Sequence, residues 1–445
     1  MRPSISGPVT GGVKGRPWSS PQADLASRGY VAEEFFLEGT ASAYAPTSPA
    51  GLPENGRWDA VVDGAADYRT RILVVRPEKQ AAANGTAVVQ WLNVSAGYEL
   101  GTADDDELLS GYVWVGVSAQ KVGIDGYPPD APRYRGRQLP IRPLKQWDRE
   151  RYATLVHPGD RYSFDVFSQA AAAVRSGAVT GGIAVDRVVA TGASQSGSRL
   201  TTYINAVHPL VGVFDAFVPT ITGGWGAALD DGPPGSARGG VGRSVIATRI
   251  RDDITEPVMI VNSECEAVAM HRTRRADDHT FRFWEVAGAP HVVAVVEAPE
   301  PRAYGRVDNV LSYRPVLSSA FRAVHRWLVD GVAPPSFPTI EFADDQTIAR
   351  DEHGNARGGI RLPELAAPIA EYHGRDDDSE GFFTLYGWAR PFSQDELRAL
   401  YPTPGAYADA YRRGADDLIE AGGFRPEDAA GAHEEADRVA AELDL

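Results

Sequence analysis

A hydroxyl placed to attack a carbonyl is the first chemistry this chain offers. Residues 187–193 (Arg-Val-Val-Ala-Thr-Gly-Ala) form a short β-branched apolar run, the pattern of a strand buried on both faces. They lead through Ser194 into Gln195-Ser196-Gly197, after which Leu200, Tyr203 and Ile204 recur at helical spacing. Gly192 and Ser196 flank Ser194 at two residues' distance. A strand that turns directly into a helix through a serine needs small neighbours, because the serine backbone is strained and larger side chains would collide. The pattern reads as a nucleophile elbow, which lifts Ser194 Oγ to the top of a parallel sheet and aims the Gln195 backbone N–H at the reacting carbonyl. Ser196 stands where the second glycine of G-x-S-x-G usually does. Shifting the pattern by one small-x-small unit would make Ser196 the nucleophile, but strand length favours Ser194.

A serine hydroxyl needs a base within hydrogen-bond reach, itself held by a carboxylate. In a doubly wound hydrolase the chain order is Ser, then the acid after a later strand, then His after the last strand. Of the nine histidines, His291 alone has that place, following the strand-like run 281–286 in a loop with Gly288 and Ala289. His157 precedes a Pro-Gly turn, and His208 precedes Pro209 at a helix end, which suggests structural roles. Both Glu264 and Glu266 follow the strand-like run ending near Asn262. Spacing from the strand end favours Glu266 as the acid, leaving Glu264 to an arginine such as Arg272 or Arg274, or to solvent. For the developing oxyanion, the second backbone donor belongs on the loop Asn93-Val94-Ser95, with Val94 first and Asn93 close behind.

These groups need a scaffold. Apolar or alternating runs at 67–77, 86–92, 112–118, 187–193, 213–219, 256–262 and 281–286 read as strands. Helical runs are read at 104–110, 163–175 and 311–329. Their alternation implies right-handed crossovers and an α/β fold with a mainly parallel, doubly wound sheet. Residues 1–60, rich in Gly, Pro and Ser with one extended patch at 30–37, read as an N-terminal arm over the core. The core then runs from 61 to 330, interrupted by a cap or lid insertion at about 221–255. Residues 331–445 read as a mostly helical C-terminal appendage.

Composition narrows the class. The chain has 445 residues, 43% of them hydrophobic, and a formal net charge of −16, which argues against nucleic acid and anionic membranes as partners. No apolar stretch is long enough to span a bilayer, and the first residues lack the apolar core of a secretory signal. A single cysteine, Cys265, rules out an internal disulfide and fits a reducing compartment, so a cytoplasmic protein is expected. Self-association is left open. The C-x-x-C, H-E-x-x-H and Walker A patterns are absent, and neither metal nor organic cofactor is expected.

Several longer stretches are then recognisable together. They are Trp91-Leu92-Asn93-Val94-Ser95, the run 111–123 (GYVWVGVSAQKVG), His157-Pro158-Gly159-Asp160, the elbow with 203–209 (YINAVHP), 284–291 (WEVAGAPH) and Pro391-Phe392-Ser393. On these residues the chain resembles the alpha/beta-hydrolase-domain family of bacterial serine hydrolases with a G-x-S-Q-S elbow, over nearly its whole length. The resemblance implies an α/β-hydrolase fold with Ser194 as nucleophile and His291 as base, and it supports Glu266 as the acid. Gly197-Ser198 after the elbow and Pro290 before His291 depart from the family pattern. The expected reaction is hydrolysis of a carboxylic ester or lactone of an apolar or aromatic small molecule through an acyl-enzyme, with Gln195 and Val94 amides holding the oxyanion. Tyr98 and Trp225 are candidates to line its pocket. Acyl transfer or amide hydrolysis on the same triad, or a non-catalytic binding protein on the same fold, are the alternatives.

Overall fold

The computed structural model describes residues 3–48, 52–127, 142–229, 246–294 and 303–444. Contacts divide the chain into two compact units, Met1–Val258 and Met259–Leu445.

The first unit is built on a sheet whose order is β1 (Ser4–Ser6), β2 (Tyr30–Pro46), β3 (Ala60–Pro77), β5 (Val113–Val117), β4 (Thr86–Trp91), β6 (Arg187–Ala193) and β7 (Ala216–Thr220). From β1 to β5 neighbouring strands run antiparallel; β5, β4, β6 and β7 are parallel. The parallel strands are the continuous apolar runs. Every residue of β5 and β7 is buried, because crossover helices cover both faces. Helix α1 (Ser163–Arg175) is one cover, setting Phe164 and Phe167 against Trp91 of β4. Helix α2 (Gln195–Thr202) follows β6 directly.

The segment read as an arm does more than lie over a core. Residues 30–46 are a 17-residue strand paired along nearly its whole length with β3. What hides this in the sequence is Glu34. A carboxylate mid-strand looks like an exposed position, yet Glu34 is 1% exposed. It accepts from Arg71 Nε at 2.6 Å, Arg151 Nε at 2.5 Å and the Tyr152 hydroxyl at 2.8 Å. Arg71 also reaches Glu99 at 2.7 Å. Burial pushes the Glu99 carboxyl above its ordinary value even with Arg71 alongside. Such a network makes a polar strand interior tolerable, and only tertiary contacts reveal it.

Residues 104–110, read as helical, form turns instead. Asp105 Oδ1 accepts from the backbone N–H groups of Glu107 and Leu108, and Thr102 bonds Asp104, so side chains take the donors a helix would need. Within the proposed cap, β8 (Trp225–Gly226) pairs antiparallel with β9 (Ile246–Ala247). Residues 230–245 of the proposed cap lie outside the described residues.

The second unit begins within β10 (Val258–Ser263), a fully buried strand, and continues with its sheet neighbour β11 (Phe281–Val286). Helix α3 (Arg314–Asp330) turns Val316, Phe321, Val324 and Trp327 inward, with Leu328 half-buried. Two small antiparallel pairs follow, β12 (Phe342–Asp344) with β13 (Thr347–Ile348) and β14 (Ala370–His373) with β15 (Trp388–Pro391). Helices α4 (Pro404–Glu420) and α5 (Ala429–Glu442) close the chain, packing Tyr407, Tyr411, Ala436 and Ala440 together. Among the described residues, no helix is long and apolar enough to cross a membrane.

Candidate active site

Ser194 sits at the junction of β6 and α2 with φ 58° and ψ −117°. A non-glycine residue there stores roughly 1–3 kcal/mol of strain, held only because its surroundings over-determine it. The Ser194 backbone N–H donates to Thr220 O at 3.0 Å, fixing the bend to the end of β7. The crossing is tight on both sides. A Cβ on Gly192 would lie 2.8 Å from Ser196 O, and one on Gly197 would lie 3.0 Å from Thr220 O and 3.1 Å from Gly192 O. Gly197 is therefore a steric requirement of this elbow. Ile221, with φ 41°, adds a second strained residue at the end of β7.

Ser194 and Ser196 are in different chemical states. Ser194 is partly exposed, whereas Ser196 is fully buried. Ser196 Oγ donates to Ala193 O and accepts from Ala193 N–H, both at 2.9 Å. It closes the turn beneath Ser194 as a cap would.

The loop after β4 lies against the same bend. Asn93 Nδ2 donates to Ala193 O at 2.9 Å, and Asn93 Oδ1 accepts from Ser95 N–H at 2.7 Å. Asn93 and Leu100 exchange backbone bonds at 3.0 and 2.7 Å, closing the loop at its base. The Val94 N–H points at Gln195 Oε1, 3.5 Å away. The two residues expected to supply oxyanion donors, Val94 and Gln195, are thus brought together. Tyr98, on the same loop, is half-buried with its ring edge-on to Trp18 at 6.0 Å. Trp225 is 39% exposed.

In the second unit the acid and the base meet. His291 Nδ1 and Glu266 Oε1 are 2.6 Å apart, with both side chains nearly buried. A carboxylate accepts only, so Nδ1 carries a proton, and the nitrogen left for a general base to use is Nε2. The other oxygen of Glu266 accepts from Ser263 N–H at 3.1 Å and Ser263 Oγ at 2.7 Å. This is the capping box of the helical turn after β10. The S-x-x-E spacing of that cap is readable in sequence.

Glu264 is 2% exposed and fully engaged elsewhere. It accepts from Gly288 N–H at 2.6 Å, Gly374 N–H at 3.1 Å and Arg350 Nη2 at 2.8 Å. Its partner is Arg350, where the sequence suggested Arg272 or Arg274; Arg274 binds Glu285. Asn309 Nδ2 donates to Gly288 O at 2.8 Å and to His373 O at 2.9 Å. Asn309 and Arg350 thus brace the histidine loop, and no local signal in the sequence marks either. His157 and His208 are both buried and engaged by other groups. His157 Nε2 bonds Ala119 O at 2.8 Å, and His208 pairs with Glu256 at 2.9 Å against the Phe217 ring. Among the described residues, no group of three or more His, Cys, Asp or Glu is placed to hold a metal ion.

Strand order and elbow together define an α/β-hydrolase fold. The family model for the alpha/beta hydrolase domain matches residues 5–434, and the chain belongs to that family. No curated protein matches it. Among solved structures, it is similar to an α/β serine hydrolase without a lid from Xanthomonas campestris, at 10% identity and TM-score 0.29, over 55% of this chain and 83% of that one. It is also similar to acetyl xylan esterase 1 from Thermoanaerobacterium, at 13% identity and TM-score 0.30, over 64% and 81%. A third is oligopeptidase B from Trypanosoma brucei, at 13% identity and TM-score 0.31, over 58% of this chain and 33% of that one.

Proposed function

We propose that the protein is a serine hydrolase that cleaves a carboxylic ester or lactone through an acyl-enzyme. Ser194 Oγ attacks the carbonyl carbon while His291 Nε2 takes its proton; Glu266 holds the ring and stabilises the imidazolium. The backbone N–H groups of Gln195 and Val94 receive the oxyanion. His291 then protonates the leaving alcohol, and water, activated by the same nitrogen, releases the acid. The observation that carries this reading is the positive-φ backbone of Ser194 at the strand–helix bend, a strain of the kind that collects at active sites. The 2.6 Å Glu266–His291 pair supports it. An apolar or aromatic acyl group is the proposed substrate class, with Tyr98 and the 39%-exposed Trp225 as the candidates to meet it.

The test is labelling with a fluorophosphonate probe, followed by a panel of esters and lactones of graded acyl size. Native protein should be labelled and Ser194→Ala should not. Absence of both labelling and turnover in the native protein would leave a binding module on a hydrolase fold. Product analysis with competing alcohols separates hydrolysis from acyl transfer, and matched amides separate it from amidase or peptidase activity.

A further inference from the structure

Three stretches singled out in the sequence, the elbow glutamine, Gln120 and the His-Pro-Gly-Asp turn, have no part in the triad, yet they form one connected chain of side chains. Asp160 Oδ2 accepts from Gln120 Nε2 at 2.8 Å. Gln120 Oε1 accepts from Gln195 Nε2 at 2.9 Å and from Trp91 Nε1 at 3.1 Å. Gln195 Oε1 then faces the Val94 N–H at 3.5 Å.

Amide groups can usually be reversed without consequence, but these cannot. Asp160 is acceptor-only and also receives Lys121 N–H at 2.9 Å and Arg199 Nη2 at 3.3 Å. Gln120 must therefore turn its NH₂ toward Asp160 and its oxygen toward Gln195. The indole N–H of Trp91, a donor only, demands the same orientation independently. Gln195 in turn must give its NH₂ to Gln120, so its oxygen is the atom left for Val94. The turn that delivers Asp160 is itself polarised. His157 Nε2 donates to Ala119 O while Nδ1 accepts from Gly159 N–H at 3.3 Å, and burial holds this ring's pKa below the usual value, keeping it neutral.

We propose that Gln195 is a positioning residue: its side-chain oxygen, oriented by Asp160 through Gln120, holds the Val94 N–H in place in the free enzyme and yields it to the substrate's oxyanion. This rests on the reading of Val94 as an oxyanion donor. Val94 is 1% exposed, so its amide lacks water as a steady partner. At 3.5 Å the contact is longer than a normal N–H···O bond, so the side-chain oxygen faces the donor yet leaves it open to capture by an anionic oxygen.

The test uses full-length Gln195→Met, which keeps the side chain's bulk and removes both polar ends, together with Asp160→Asn and the double variant. Fluorophosphonate labelling of Ser194 first counts folded, competent sites. Per labelled site, kcat on p-nitrophenyl esters should fall about tenfold to a hundredfold in Gln195→Met, with KM changed far less, because a misplaced donor is felt in the transition state. Asp160→Asn should lower kcat in the same way, and the double variant should be no worse than the poorer single one. Unchanged or raised kcat in Gln195→Met, or losses that multiply in the double variant, overturns the proposal. Amide hydrogen exchange at Val94 provides a readout independent of turnover and should quicken in Gln195→Met; unaltered exchange overturns the side-chain contact itself. If the native protein turns over no ester but Val94 exchange does quicken, the hydrolase reading fails and the polarised chain stands.

Discussion

Glu266 divides its two carboxylate oxygens between His291 Nδ1, at 2.6 Å, and the backbone and hydroxyl of Ser263, at 3.1 and 2.7 Å. One oxygen is anchored to the end of β10 and the other aims the imidazole. The side chain that orients the proposed base is thus itself fixed to the sheet, and the capping box is part of the candidate catalytic apparatus.

Exchanging the acid should therefore separate two neighbouring glutamates. Glu266→Gln allows the wrong histidine tautomer and should lower kcat by roughly 10⁴-fold with little change in folding. Glu264→Gln weakens the contacts to Arg350 and two backbone N–H groups, and should cost about 2 kcal/mol of stability while sparing most of kcat per folded molecule. Steady-state kinetics beside denaturant unfolding checks both.

The two serines of the elbow should separate as cleanly. Ser194→Ala should lose probe labelling and turnover. Ser196→Ala loses a turn-closing hydroxyl bonded twice to Ala193, so it should unfold about 1 kcal/mol more easily yet still be labelled at Ser194. Mass mapping of the labelled peptide in each variant decides the frame.

Adding a methyl group beneath the bend should disturb it. In Gly192→Ala the new Cβ meets the Ser196 carbonyl oxygen at 2.8 Å, and in Gly197→Ala it meets Thr220 O at 3.0 Å. Each variant should lose about 1–3 kcal/mol, because backbone atoms cannot step aside. Gly192→Ala should also label more slowly as Ser194 shifts. Thermal unfolding and labelling rates give both answers.

A pH effect is expected from Glu285. Burial raises its carboxyl from 4.5 to about 7, against the pull of Arg274 at 2.5 Å. Because the folded state holds this proton more tightly than the unfolded chain, the group costs nothing below 4.5 and its full penalty above about 7. Stability of the native chain relative to Glu285→Gln should fall as pH rises through that window and level off above it. Unfolding free energies of the two proteins across the range provide the check.

Much of the scaffold was legible because its signals are local. The buried strands β4, β5, β10 and β11 announce themselves as apolar runs, and α1 as a stretch with strong helix formers and an apolar stripe. The elbow is read from small residues around a serine, since steric crowding at a strand–helix bend is a property of a few neighbouring positions. The capping box that holds Glu266 is equally local, a Ser-x-x-Glu stretch of four residues from Ser263 to Glu266.

What the sequence alone determined, then, is whatever a run of consecutive residues must do by its own geometry: the apolar strands, the elbow and the order in which serine, acid and histidine occur. What only the tertiary structure decided are the roles of polar side chains whose partners lie far along the chain. Glu34 became the middle of a long strand because Arg71, Arg151 and Tyr152 converge on it. Glu264 was drawn to Arg350, 86 residues away, and the orientation of Gln195 is set by Asp160 through Gln120. A charged or amide group buried without a partner is costly, so folding supplies one from wherever the chain passes. No spacing rule in the sequence records that choice.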